Sequence, residues 1–158
     1  MIYYRNTTRA HRIDERRVTA TARALLAATG RPNAGLSLTF VGDVAMRRIN
    51  REHRGKDRTT DVLSFPLYEP FAVPKRARAG EPELLVGDVV ISVDTAVRQA
   101  KAYDAGLDAE IDRLIVHAVA HLLGHDHEVP AERAKMLRAE KKLAAAIGLP
   151  WPYDAPDA

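Results

Sequence analysis

DAEIDRLIVHAVAHLLG, Asp108 to Gly124, is the stretch on which the fold turns. Ile111, Leu114, Ile115, Ala118 and Leu122 recur at i, i+3, i+4, i+7 and i+11, a helical stripe that must face a core. Asp108 reads as the N-cap, and Glu110 in the first turn favours the helix dipole. Gly124 supplies the left-handed position that ends the helix. His117 and His121 are four apart, so both imidazoles stand on one side of the helix, at the edge of its buried stripe. Two rings held in parallel either repel as cations or share a third party. A divalent metal ion is the usual object.

Four of the six histidines lie between His117 and His127. Beyond the Gly124 bend, His127 can swing back over the same point as His117 and His121. Three neutral imidazoles with the fourth position open match a catalytic metal site better than a closed structural one. A fourth donor could come from Asp126 or His125, which would weaken the catalytic reading; His125 is the expected bystander. A lone i, i+4 pair is more often a packing feature, but a third histidine behind a glycine turn favours metal. Peptidase zincins place a glutamate directly after the first histidine as the base. Here that position is Ala118, and peptide hydrolysis loses its support.

Outward from this helix, Ile2–Tyr4 reads as a short strand, Asp14 to Thr29 as a helix stopped by Gly30, and Leu36–Gly42 as a strand with one buried face. A helix with Asp43 as its N-cap ends in the basic segment around RREHRGKDR. Thr60–Leu67 is a strand whose Pro66 marks a sheet edge or bulge, and Leu84–Ser92 is a strand apolar enough to be buried on both faces. Between them, Glu69 to Glu83 is a loop rich in proline and expected to be mobile. Helices follow from about Val93 to Tyr103 and from Pro130 to near Gly148. Strands and helices mix without alternating strictly. The expected fold is α+β: one domain over residues 1–150, a small mixed sheet covered by helices, the histidine helix in the core, and a loosely held tail over 151–158 apart from Trp151.

The hydrophobic share, 46%, and the charged share, 28%, are those of an ordinary globular protein. No apolar run approaches the roughly 18 residues of a membrane span. MIYYRNTTRAHR carries no apolar segment after its charges, so no secretory leader is expected, and the expected compartment is the cytoplasm. Without cysteine, disulfides and thiolate metal sites are excluded. Residues 1–58 hold 13 Lys/Arg against 5 Asp/Glu, whereas residues 59–158 hold 11 against 16. A basic half beside an acidic one suits contact with a polyanion, although a solvated basic face would look the same.

Three segments, in order along residues 50 to 127, resemble the YbeY-type bacterial endoribonucleases. HRGKDRTTDVLSFP (His53–Pro66) is similar to that family's YRxKDxPTDVLSFP, GDVVIS (Gly87–Ser92) to GDIVIS, and HAVAHLLGHDH (His117–His127) to HGxLHLxGYDH. The departures are His53 and His125 for tyrosine, Thr59 for proline, Ala118 for glycine and Ala120 for leucine; none removes a donor. The resemblance implies one zinc ion on His117, His121 and His127 and endonucleolytic cleavage of single-stranded RNA. It further implies maturation of the 3′ end of small-subunit ribosomal RNA and a part in ribosome quality control. Arg54 matches the family's essential arginine, and a guanidinium there would fork onto phosphate oxygens and hold developing charge. Lys56 and Arg58 would steer the polyanion. Asp61 or Ser64 would line the groove, and Asp126 would orient a ligand imidazole. Attack by water and by the ribose 2′-hydroxyl both fit, because the motif supplies no general base. Two other readings compete. One is a zinc hydrolase of another substrate class; the other is an RNA-binding ribosome-assembly factor with a structural zinc.

Overall fold

The computed structural model describes residues 1–151, so the tail beyond Trp151 lies outside the described residues. Four strands, β1 (Ile2–Asn6), β2 (Gly35–Val41), β3 (Val62–Pro66) and β4 (Leu85–Ser92), form one sheet in the order β1-β2-β4-β3. β1 pairs with β2 and β2 with β4 in parallel, while β3 runs antiparallel to β4 on the outer edge. The sheet is therefore mixed, and the α+β expectation is met.

Alternation along β2 sends Leu36, Leu38 and Phe40 to one face, where Val86, Val89 and Ile91 of β4 join them in the main core. Onto this face pack α1 (Glu15–Ala28) and α4 (Leu107–Leu122), and α5 (Pro130–Ala146) packs against those two helices. A smaller cluster of Val41, Met46 and Leu63, with Val90 beside it, lies under α2 (Asp43–Arg54) on the opposite face. β4 is thus covered on both sides, as its unbroken apolar run predicts. α3 (Val93–Ala102) runs on directly from β4 and packs against α4. Helix α4 is the centrepiece: Leu114, Ile115, Val116, Ala118, Val119 and Ala120 have no exposed surface at all.

Two helix starts differ from the sequence reading. Gly42, not Asp43, is the N-cap of α2. Asp43 turns its carboxylate to neighbouring side chains instead, accepting from Thr59, Ser92, Thr95 and Arg98 at 2.7–3.1 Å. Those bonds hold its carboxyl far below the usual range against the opposing effect of burial. Likewise Gly106 caps α4 and Asp108 lies inside the first turn, because Leu107 packs against the core and draws the helix start forward. The loop between β3 and β4 is fastened at several points. Buried Arg31 donates to the carbonyls of Val73 and Pro74, Val73 is itself in the core, and the Phe71 amide donates to Leu123 O at 2.9 Å.

A bulge between β2 and β4 falls at Val86–Gly87, where the register jumps from Gly35–Leu85 to Ser37–Asp88. Gly87 has φ 155°, and a Cβ there would lie 2.4 Å from Phe65 O and 2.6 Å from Leu122 Cδ2. Its missing side chain lets the end of α4 settle onto the sheet. Gly87→Ala is expected to cost roughly 3 kcal/mol through backbone strain and overpacking. An unchanged denaturation midpoint would contradict that close approach.

Candidate metal centre and groove

α4 ends at Leu122, and Gly124, at φ 116°, bends the chain back across its own last turn. A Cβ at Gly124 would lie 2.5 Å from Phe71 N, so the bend is tight and open only to glycine. Its consequence is convergence. His117, His121 and His127 each offer a ring nitrogen, all within 4.8 Å of one another. The Nε2 atoms of His117 and His121 are 3.1 Å apart, and the His127 ring centroid lies 5.8 Å and 5.3 Å from theirs. His125 is not in the cluster. Its ring turns edge-on to Phe71, centroids 5.0 Å apart, and its Nδ1 is buried without a hydrogen-bond partner among the described residues.

The electrostatics favour a neutral ring at His121. Burial, reinforced by the neighbouring His117 and His127, pushes His121 down to about 4, so its ring is neutral at neutral pH, with one N–H and one lone-pair nitrogen. His117 Nδ1 lies 2.6 Å from Glu140 Oε2. Facing a carboxylate, that nitrogen donates, which leaves Nε2 of His117 as a lone pair aimed into the cluster. Three such donors fit a divalent transition metal, zinc included. Glu140 is mostly buried on α5 and was not singled out in the sequence. Asp126, the carboxylate the sequence offers for this orienting role, accepts from the His127 backbone N–H at 2.7 Å instead, with His127 Nδ1 3.8 Å away. It shapes the bend. Glu140→Gln is expected to weaken affinity for a divalent ion about 10–100-fold. Calorimetry on the variant would check this, and an unchanged dissociation constant would remove Glu140 from the site.

The cluster lies in a groove of about 540 Å³ whose other wall is built from α2 and β3. Gly55, at φ 69°, ends α2, and the chain then folds over so that buried Asn50 donates to Arg58 O at 2.8 Å. Asp57 pairs with Arg47 and Arg51 on the outside, while Arg54, Lys56 and Arg58 line the groove. Arg54 is held at two points: one terminal nitrogen donates to Ser64 O at 2.7 Å, and its Cζ sits 5.5 Å from the Phe65 ring. Ser64 contributes through its backbone; its side chain is buried at the groove wall. Asp61 also lines the groove. Gln99 bridges it to wholly buried Glu110, which in turn is clasped by Arg113. Glu110 and Arg113 pair at i, i+3 within α4, but no sequence pattern marks the link to Gln99, which forms only when α3 and α4 pack.

Compared with known proteins, residues 3–148 match the profile of the family described as Endoribonuclease YbeY. The chain belongs to the YbeY family. The YbeY of Anaeromyxobacter sp. (strain Fw109-5) is 51% identical over 134 residues, which cover 85% of this chain and 65% of that protein. The YbeY of Aquifex aeolicus is 44% identical over 117 residues, 74% of this chain and 72% of its own length. The chain thus spans just under two thirds of the Anaeromyxobacter YbeY proteins and 44% of that of Myxococcus xanthus. In three dimensions it superposes on a solution structure of a Thermotoga maritima protein with TM-score 0.58 at 18% identity, covering 100% of this chain and 99% of that one. That likeness speaks for the fold alone. No helix among the described residues is long and apolar enough to cross a membrane.

Proposed function

We propose that this chain is a metal-dependent endoribonuclease that cuts single-stranded RNA, with one zinc ion held by His117, His121 and His127. On this reading it works in the cytoplasm on ribosomal RNA of the small subunit, in maturation of the 3′ end and in ribosome quality control. The observation that carries the proposal is the juxtaposition of three convergent imidazoles with a clamped arginine across one groove. Membership of a family described as Endoribonuclease YbeY supports the same class of reaction.

A bound zinc ion would supply a Lewis acid beside the scissile phosphodiester. The residues do the rest. Glu140 fixes the ring of His117, and burial disfavours the cationic form of His121, which would have no lone pair to offer a metal. Arg54 has one terminal nitrogen committed to Ser64 O, which presets the guanidinium plane and leaves other N–H donors for a phosphate oxygen. Lys56 and Arg58 raise the local concentration of polyanion and set the salt dependence of binding. Asp61 and Ser64 shape the wall beneath the backbone, and Asp126 holds the bend that presents His127.

The test pairs metal analysis with cleavage of an unstructured ribosomal RNA fragment before and after chelation. A folded but inactive metal-free protein that regains cleavage with added zinc is the expected result. Loss of the fold on chelation would favour a structural zinc in an assembly factor. Cleavage that survives complete removal of metal would end the proposal.

A further inference from the structure

A second groove opens on the far side of His125. It is lined by Phe71, His125 and four residues of α5: Lys135, Arg138, Ala139 and Lys142. Lys135, Arg138 and Lys142 stand at i, i+3 and i+7, so they share one face of the helix, and all three are exposed. No salt bridge among the described residues ties any of them down. Phe71 is 67% exposed, yet its backbone sits at φ 60°, a region a bulky side chain rarely enters. The hydrogen bond that the Phe71 N–H donates to Leu123 O and the edge-on contact with His125 hold the ring there. A strained backbone that presents an apolar ring to solvent is poor economy for folding alone.

From these features, and resting on the endoribonuclease reading, we infer that the RNA strand leaves the metal groove over His125 and continues onto this second surface. A base stacks on Phe71, and the following phosphates lie along Lys135, Arg138 and Lys142. His125 lines both grooves, so the two surfaces adjoin at its ring. Lys135 to Lys142 covers roughly 10 Å of helix, enough for about three nucleotides of a stacked strand at ~3.4 Å each. Aromatic stacking beside a cationic track is how proteins hold single strands without reading their sequence. It also accounts for His125, whose ring supports Phe71 and lies outside the metal cluster.

The test compares wild type with Phe71→Ala and with a triple variant, Lys135→Gln, Arg138→Gln and Lys142→Gln, none of which touches the metal cluster. Binding of an unstructured RNA of about 12 nucleotides and of one of roughly 4 is measured by fluorescence anisotropy on the metal-free protein, and cleavage of both on the zinc-loaded protein. For the longer RNA, each variant is expected to bind about tenfold more weakly. The triple variant should flatten the salt dependence by about two in slope. The short RNA should be bound and cut as by wild type. Wild-type binding of the long RNA by either variant overturns the inference, even if cleavage proceeds and the endoribonuclease reading stands. If the variants lose long-RNA binding but wild type cuts nothing, the track stands and the endoribonuclease reading falls. A triple variant that loses poly-glutamate equally, with Phe71→Ala silent, would mean a merely basic face and would also overturn the inference.

Discussion

RNA cleavage by the His121→Ala protein is expected to fall by on the order of 10³-fold or more, because the proposed Lewis acid would supply several kcal/mol of transition-state stabilisation and would leave with its ligand. The prediction is sharp because the same substitution should hardly disturb the fold. His121 is only partly buried, its ring nitrogen faces another imidazole at 3.1 Å, and burial already opposes its protonation. Truncating it removes a group that does little for the apoprotein. Circular dichroism and a thermal melt of the metal-free variant should therefore match those of metal-free wild type, while zinc content drops to background. A folded His121→Ala protein that cleaves single-stranded RNA at the wild-type rate would overthrow the proposed chemistry.

Arg54 carries the second large effect. Its guanidinium is preset by Ser64 O and by the face of Phe65, so its remaining donors meet a phosphate without first paying for ordering. Losing one such preorganised donor costs about 10²–10³ in turnover, and this is expected for Arg54→Ala with zinc content unchanged. Arg54→Lys is the more telling variant. An ammonium keeps the charge but cannot bond Ser64 O and fork onto phosphate at once, so turnover should still fall by about 10². Binding of RNA, which answers mainly to net charge, should be nearly intact. Arg54→Lys turning over within about threefold of wild type would reduce Arg54 to an electrostatic bystander.

What the sequence revealed followed from local rules. The helical period of Ile111–Leu122 placed α4 in the core, and the four-residue step from His117 to His121 put two rings on its edge. Gly124 marked the bend, and proline in β3 marked its end at the bulge, where Pro66 pairs with Gly87. What escaped was tertiary. Glu140 reaches His117 from a helix that begins beyond the bend, and no spacing rule links positions 23 apart. Asp43 looks like a cap by residue type, yet its carboxylate gathers side chains from the 55–61 segment, from the end of β4 and from α3. Propensity sees only the neighbours in the chain.

The hydrogen bond between His117 and Glu140 has a further consequence for how the chain matures. The three donors lie within eleven consecutive residues, so little backbone freedom is lost in bringing them together, and on the proposed reading a nascent α4 with its bend would already be a weak chelator. A full grip would wait until α5 docks and the Glu140 carboxylate bonds the His117 ring. Tight retention of an ion at the proposed centre would then report that α5 has docked, and a polypeptide cut short before α5 should hold that ion more weakly.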